Sequence, residues 1–251
     1  MNIKSPLRLA VDGELVLKEA TRRSFLRRSL TLGGLAMLTG CSLVDEASVD
    51  TALSRISRIN DDVQGWLFDP NRLAPTYPES MITRPFPFNA YYGEDEIREI
   101  EESSYRLEVT GLVADRRQWT LRELRAMPQI EQVTRHICVE GWSAIGKWGG
   151  ASFASFLRRA GADLSAKYVG FKCADDYFTS IDMATALHPQ TVLALTYDGQ
   201  PLPPKYGFPM KLRMPTKLGY KNPKHIQAIF VTNIYPGGYW EDQGYNWFGG
   251  S

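Results

Sequence analysis

The segment from Arg135 to Ser143 concentrates the residues best suited to chemistry in this 251-residue sequence. Cys138 follows Arg135 and His136 closely and lies between an expected strand and a glycine-containing turn. Positive charge near a thiol lowers its pKa and favours the thiolate, which is a nucleophile and a soft metal ligand. These neighbours favour a thiolate at Cys138, and Glu140, two residues further on, is a candidate to carry a proton.

Three interpretations of Cys138 stay open from the residues alone. The thiol is buried and inert, or it is a nucleophile paired with a histidine, or it binds a metal. His136, His188 and His225 are the candidate partners, but none has a recognisable spacing to Cys138, and His188 is expected to be structural. One cysteine cannot form a zinc site alone. Glu140 also has a structural alternative, as an acceptor for backbone amides near Cys138.

Three blocks of residues follow one another in a characteristic order. The first is C-V-E-G-W from Cys138, the second runs over residues 186–213, and the third runs over residues 215–224. Together they resemble the sulfite oxidase superfamily, most closely the catalytic subunits of periplasmic protein-methionine-sulfoxide reductases. The resemblance spans residues 89–232 and implies an α+β fold, a sulfite-oxidase-type molybdopterin-binding domain with mixed β-sheets and short helices.

The resemblance implies a molybdenum–molybdopterin cofactor in which Cys138 is the protein's ligand to the metal. The cofactor dithiolene would supply two further sulfurs, and Glu140 and Arg135 are the other candidate catalytic residues. The cations for the cofactor phosphate are expected from the lysine-rich loop region that holds Lys211, Lys217, Lys221 and Lys224, whose alternative is a solvated surface. The positions that match the family's cofactor contacts are Asn89, Tyr92, Gly93, Cys173, Tyr206, Lys211, Asn222, Pro223 and Lys224.

Several positions depart from the reductase pattern. Cys173 stands where that family has threonine, Tyr206 where it has asparagine, Lys211 where it has arginine, and Thr216 where it has tryptophan. Lysine keeps the charge of arginine but loses its bidentate geometry. The resemblance therefore carries over the cofactor but not the substrate.

The expected reaction is a two-electron oxygen-atom transfer, in the first instance reduction of a sulfoxide or related S- or N-oxide. The alternative within the class is oxidation of sulfite, which would need cations near the metal, and Arg135 and Arg213 are the candidates. A metal-free thiol enzyme and a lipoprotein binding module are the alternatives of another class. The sequence has no C-x-x-C-H haem motif, so we expect a separate electron partner, either a membrane haem or quinone-linked protein or a cytochrome.

The first forty residues resemble a twin-arginine export signal, with Arg22 and Arg23 ahead of an apolar run over residues 29–40. Leu38 to Cys41 resembles a lipobox, so Cys41 is a candidate for acylation. We expect a periplasmic protein with a tether over residues 41–84, an oxidoreductase domain over residues 85–251, and a monomeric state. The signal holds seven basic and three acidic residues, so the remainder is mildly acidic and offers no basic footprint for nucleic acid.

The elements expected to position these residues are mostly strands. A capping box predicts a helix from Thr120 to Met127, and Asp198-Gly199 predicts a hairpin turn. The aromatic segment over residues 236–250 is expected to pack on the core, or alternatively to cover the cofactor. Further helices are predicted over residues 52–59 and 152–160, and strands over residues 105–109, 168–173, 191–197, 210–214 and 226–232.

Overall fold

The computed structural model describes residues 46–251. The predicted signal over residues 1–40 and the predicted acylation site Cys41 lie outside these residues. The chain divides into two units, Met1–Arg55 and Ile56–Ser251, and the second contains both sheets. Among the described residues, no helix has the length and apolar character needed to cross a membrane.

Short helices and strands make up the part of the chain that the structure describes. The α-helices are α1 (Glu46–Leu67), α2 (Leu121–Arg125), α3 (Phe153–Arg159) and α4 (Met183–Leu187). The strands are β1 (Glu108–Gly111), β2 (Gln129–Ile137), β3 (Ser143–Ser152), β4 (Tyr168–Cys173), β5 (Phe178–Asp182), β6 (Val192–Tyr197), β7 (Gln200–Pro201), β8 (Lys211–Arg213) and β9 (Ile226–Thr232). Single 3-10 turns occur at Glu79–Met81, Glu94–Glu96, Pro204–Tyr206, Gly219–Lys221 and Glu241–Gln243.

The strands form two sheets, one mixed and one antiparallel. The first has the order β1-β9-β4-β5, and β1 runs parallel to β9. The second has the order β2-β3-β6-β7, and β8 also pairs with β6. Side chains from both sheets and from α2 and α3 meet in one core that includes Trp119, Phe156 and Phe171. This architecture confirms the expected α+β class.

Local signals in the sequence predicted several elements correctly. Thr120 and Glu123 form the capping box at the start of α2, with the Glu123 amide donating to the Thr120 hydroxyl at 3.3 Å. Asp198 and Gly199 have φ values of 49° and 75° and join β6 to β7, as a type I′ turn requires. The helix predicted over residues 52–59 is longer and extends over the whole of α1.

The hairpin of β2 and β3 carries Cys138 at its tip, and the sequence predicted a strand before Cys138 but not β3 after it. The glycines of β3 lower its intrinsic strand propensity. Close packing requires two of them: a Cβ on Gly150 would collide with the carbonyl oxygen of Leu193, and one on Gly146 would lie 2.8 Å from the Trp148 indole nitrogen. Tertiary packing therefore overrides local preference in this strand.

Part of the predicted tether is docked along this hairpin. The Tyr77 amide donates to the Val133 carbonyl at 3.0 Å, and the Thr83 amide donates to the Ile145 carbonyl at 2.8 Å. The predicted boundary between residues 84 and 85 consequently falls inside the compact unit Ile56–Ser251.

Candidate active site

Cys138 is held by the tight turn between β2 and β3. Its amide donates to the Trp142 carbonyl at 2.9 Å, and its carbonyl accepts from the Gly141 amide at 3.2 Å. Gly141 has a φ of 92°, a backbone conformation that favours glycine. Backbone hydrogen bonds therefore fix where the thiol points before any ligand binds.

The thiol opens onto a cavity of about 110 Å³. Six residues predicted from the sequence line it together: Asn89, Cys138, Glu140, Asn222, Pro223 and Lys224. The other lining residues are Ala90, Tyr91, Val139, Asp175, Tyr177, Gly219, Tyr220, Trp240 and Tyr245. The fold thus brings together positions that are as far apart in the sequence as residues 89 and 224.

The expectation of a thiolate favoured by nearby positive charge is wrong for the chain without its cofactor. Burial is the largest cause and raises the pKa of the Cys138 thiol above its usual value. The Glu140 carboxylate, 3.5 Å from the sulfur, raises that pKa further. The Glu140 backbone amide and the Asn89 side-chain amide, which donates to the sulfur at 3.2 Å, lower it.

We predict opposite changes in thiol reactivity for two variants of the cavity wall. Glu140→Gln removes a negative charge beside the sulfur, so the pKa of Cys138 should fall and its alkylation at pH 8 should become faster. Asn89→Leu removes a donor to the thiolate, so the pKa should rise and alkylation should become slower. The measurement is the pH profile of iodoacetamide labelling of cofactor-free protein, followed on the Cys138 peptide by mass spectrometry. Shifts of the same sign in both variants would contradict this account.

The predicted role of Arg135 is not supported by its position. Successive side chains along a strand point to opposite faces, so Arg135 in β2 is exposed while its neighbour His136 is buried. The Arg135 guanidinium lies 5.3 Å from the centre of the Tyr77 ring and lines a different cavity of about 600 Å³. Sequence proximity to Cys138 was misleading because it ignored this alternation.

The lysine-rich region is not a solvated surface. Lys211, Lys217, Lys221 and Lys224 are all buried, with at most 8% of their surface exposed. The Lys217 ammonium donates to the Phe248 carbonyl at 2.8 Å and lies 3.5 Å from Asp182. Lys221 forms a buried ion pair with Glu241. Lys217 and Lys221 therefore have internal partners and are not free to bind a phosphate, contrary to the prediction.

Three buried cations lack such neutralisation. Among residues 46–251, no carboxylate lies within ion-pairing distance of Lys211, Arg213 or Lys224. Burial lowers the pKa of Lys224 to about 8 and that of Arg213 to about 9, and it lowers the pKa of Lys211 well below its usual range. Uncompensated buried charge is costly, so this cluster favours the binding of an anion.

His136 adds two buried hydrogen-bonding atoms without a protein partner, because both of its ring nitrogens are unsatisfied. Burial, followed by Lys211, Arg213 and Lys224, lowers its pKa well below the usual value, which favours the neutral imidazole. A Cβ on Gly219 would lie 2.7 Å from the His136 Nε2 atom, so glycine is needed there.

None of the three histidines lines the Cys138 cavity. The His188 Nε2 atom lies 3.1 Å from the Arg72 carbonyl, and its Nδ1 accepts from the Gln190 amide at 3.1 Å, which agrees with a structural role. The His225 Nδ1 atom lies 2.6 Å from the Phe208 carbonyl. A cysteine–histidine nucleophile therefore has no base beside the thiol.

The other residues predicted to contact the cofactor differ in how close they lie to the cavity. Tyr92 reaches it indirectly, since its hydroxyl donates at 3.0 Å to the lining residue Asp175. The Tyr206 hydroxyl instead donates to the Phe86 carbonyl at 2.9 Å. Cys138 and Cys173 are both free thiols. Five predicted cofactor contacts are not part of the cavity wall: Tyr92, Gly93, Cys173, Tyr206 and Lys211.

The aromatic C-terminal segment contributes to the site. Trp240 and Tyr245 line the cavity, and the Tyr239 ring stacks on the lining residue Tyr91 with centroids 4.7 Å apart. The segment therefore packs on the core and forms part of the cavity wall, and its alternative role as a lid or partner-docking face near the cofactor stays a prediction. Sequence reasoning missed Tyr91, Asp175 and Tyr177, although Tyr91 is next to the predicted contact Tyr92.

A buried thiol at a hairpin tip, a cavity beside it and unneutralised buried cations define a domain that binds an anionic cofactor next to a cysteine. The family model described as the oxidoreductase molybdopterin binding domain matches residues 94–240. The chain belongs to this family within the sulfite oxidase superfamily, and it is an enzyme, a molybdopterin-dependent oxidoreductase.

Known proteins agree with this membership. The chain is 71% identical over 254 residues to the putative protein-methionine-sulfoxide reductase subunit YedZ1 of Azospira oryzae, with 97% of both chains covered. It is 32% identical over 134 residues to the protein-methionine-sulfoxide reductase catalytic subunit MsrP of Xanthomonas axonopodis, covering 47% of this chain and 42% of that protein. The sulfane dehydrogenase SoxCD of Paracoccus pantotrophus has a similar fold, with a TM-score of 0.52 and 19% identity over 55% of this chain and 40% of that one.

The residues present fit the molybdenum–molybdopterin cofactor. Cys138 offers one soft sulfur ligand, and no group of three or more His, Cys, Asp or Glu side chains within residues 46–251 is arranged to hold a metal. Lys224, a buried cation that lines the cavity, suits a phosphate. The unpaired Nε2 atom of His136 lies against the lining residue Gly219 and suits a polar heterocycle.

Proposed function

We propose that this chain is an exported reductase of sulfoxides, with methionine sulfoxide as the first candidate substrate. The names of its relatives support this substrate class, the most similar of those described above being 71% identical over nearly the whole chain. The cavity supports it independently, because the charged group nearest to the thiol is the carboxylate of Glu140. A neutral sulfoxide can approach a carboxylate, whereas the anion sulfite would be repelled.

The absence of arginine from the cavity wall separates the proposed reaction from sulfite oxidation. No arginine is among the residues that line the Cys138 cavity in the described part of the chain. Arg213, one of the two candidates, already donates to the Arg135 carbonyl at 2.6 Å, the Met214 carbonyl at 2.9 Å and the Asn222 side chain at 3.2 Å. Arg135, the other, lines a different cavity.

In this proposal Cys138 binds the metal and Asn89 orients the sulfur by donating to it. Asn222, Pro223 and Lys224 line the cavity where the pterin and its phosphate would bind, and Lys224 would supply a positive charge to the phosphate. The bound cofactor supplies two-electron oxygen-atom transfer. Glu140, whose carboxylate accepts from the Trp142 indole at 2.9 Å, is held where it can exchange a proton at the cavity entrance. The buried aromatic residues of the wall, Tyr177 and Tyr220, would limit the access of water to the reacting centre.

The electrons are proposed to come from a separate protein. The only cysteines in the sequence are Cys41, Cys138 and Cys173, so the chain cannot attach a haem through a C-x-x-C-H motif. The twin arginines Arg22 and Arg23 support export to the periplasm, and the residues around Cys41 support acylation there. A membrane haem or quinone-linked protein is the partner that this location favours, with a soluble cytochrome as the alternative.

A dye-linked assay on protein from a molybdenum-replete host tests the proposed activity. Oxidation of reduced viologen should depend on methionine sulfoxide or a related S-oxide, and on about one molybdenum per chain. The same preparation should reduce ferricyanide slowly with sulfite. Faster turnover with sulfite than with every S- or N-oxide would contradict sulfoxide reduction and indicate sulfite oxidation. Intact activity in metal-free protein would indicate a thiol enzyme.

A further inference from the structure

Helix α1 exposes an apolar face to solvent. Its apolar side chains recur at intervals of three and four residues, which places them along one side of the helix. Residues 56–67 extend this side over about 16 Å. Five exposed residues form this side, which we call the α1 apolar face: Ile56, Ile59, Val63, Trp66 and Leu67. Their exposed fractions are 62%, 62%, 47%, 83% and 66%, respectively.

Two polar residues of the same helix, Asp61 and Gln64, turn toward the protein, whereas the charged residues Arg55, Arg58 and Asp62 are exposed. The Asp61 carboxylate accepts from the Phe248 amide at 2.8 Å and from the Asn246 side chain at 2.6 Å. The Gln64 side chain accepts from the Gly250 amide at 3.2 Å. This orientation is the reverse of that of an ordinary surface helix, whose apolar side faces the core. A continuous exposed apolar face of this kind marks an interaction surface.

We propose that the α1 apolar face lies on the surface of a lipid bilayer. Cys41 precedes Glu46 by five residues, which span at most about 18 Å even when extended. An acyl group on Cys41 would therefore hold α1 close to the lipid headgroups, and in this respect the inference rests on the proposed function. The α1 apolar face would add a second contact with the bilayer to that of the anchor.

The composition of α1 suits that second contact. Trp66 has the largest exposed fraction on the α1 apolar face, and indole rings favour the boundary between headgroups and acyl chains. Arg55 and Arg58 are exposed on the same helix and can attract anionic lipids. The α1 apolar face would enter the boundary between the lipid headgroups and the acyl chains. The hydrogen bonds of Asp61 and Gln64 would meanwhile hold α1 against the rest of the domain.

Vesicle flotation of protein carrying Cys41→Ser, and hence no acyl group, tests the helix alone. With vesicles of phosphatidylethanolamine and phosphatidylglycerol in a 3:1 ratio, the triple variant Ile59→Ser/Val63→Ser/Trp66→Ser should partition at least about tenfold more weakly than its parent. The matched variant Ile59→Leu/Val63→Leu/Trp66→Phe keeps the face apolar and should float like the parent. Circular dichroism and molybdenum content verify that the variants are folded.

Three results would overturn the inference: no flotation of the parent, equal flotation of the serine variant, or a dimer in the ultracentrifuge that the serine variant abolishes. The last result would assign the face to a second copy of the chain. If the serine variant fails to fold, Arg55→Gln/Arg58→Gln decides instead, since it should weaken flotation with phosphatidylglycerol vesicles but not with phosphatidylcholine vesicles. Flotation requires no turnover, so these results are independent of the reductase assay.

Discussion

Replacement of Cys138 by serine is expected to abolish turnover while leaving the fold intact. The hairpin turn is fixed by backbone hydrogen bonds at Trp142 and Gly141, so serine can occupy the same place. The loss should exceed the roughly 10- to 100-fold that removal of an outer-shell partner costs, because the change removes a metal ligand itself. The measurements are dye-linked turnover, molybdenum content and the visible absorption of the thiolate–metal bond.

The matched control is Cys173→Ala, which deletes the other free thiol among the described residues. Cys173 is buried and does not line the cavity, so this variant should keep the visible absorption and the turnover. Loss of the absorption band in Cys173→Ala but not in Cys138→Ser would move the metal ligand to residue 173. Retained turnover in Cys138→Ser would contradict the proposed site altogether.

Replacement of Glu241 by alanine is expected to cause the largest loss of stability. The side chains of Lys221 and Glu241 are each only 1% exposed, and burial lowers the pKa of Lys221 while the Glu241 charge opposes that shift. Removing one partner of a buried pair leaves an uncompensated charge and costs about 3–5 kcal/mol. For a chain of this size the midpoint of thermal unfolding should fall by about 6–20 °C.

A double variant distinguishes the loss of the pair from the loss of one partner. Lys221→Met/Glu241→Leu removes both charges and fills similar volume, so it should recover much of the stability lost in Glu241→Ala. Calorimetry of the parent, the single and the double variants provides the comparison. A double variant less stable than Glu241→Ala would show that the ion pair is not the source of the effect.

The sequence singled out Cys138, which lines the cavity, and it predicted the strands that have strong local signals. The strands predicted over residues 168–173 and 226–232 have the same bounds in the structure. Their β-branched and aromatic side chains favour strands and are largely buried, so local preference and packing act in the same direction. β3 was missed because its glycines oppose the local preference and are explained only by packing against β6.

The cavity was harder to predict because its properties depend on contacts between distant residues. The Asn89 amide reaches the Cys138 sulfur across 49 positions of sequence, and Glu241 neutralises Lys221 across 20. No local pattern reveals which lysines have partners, so Lys217 and Lys221 were grouped with Lys224, although only Lys224 lines the cavity. Arg135 was predicted to act beside Cys138 because the two residues are close in the sequence. Its side chain instead points to the opposite face of β2 from that of His136.

The wall of the cofactor cavity joins residues from early and late in the described chain, from Asn89 and Tyr91 to Trp240 and Tyr245. During translation the cavity cannot close until residue 245 has left the ribosome. A cofactor bound in this cavity would therefore be enclosed only after translation of the whole domain. For the export proposed above, this order of assembly favours a route that carries folded proteins.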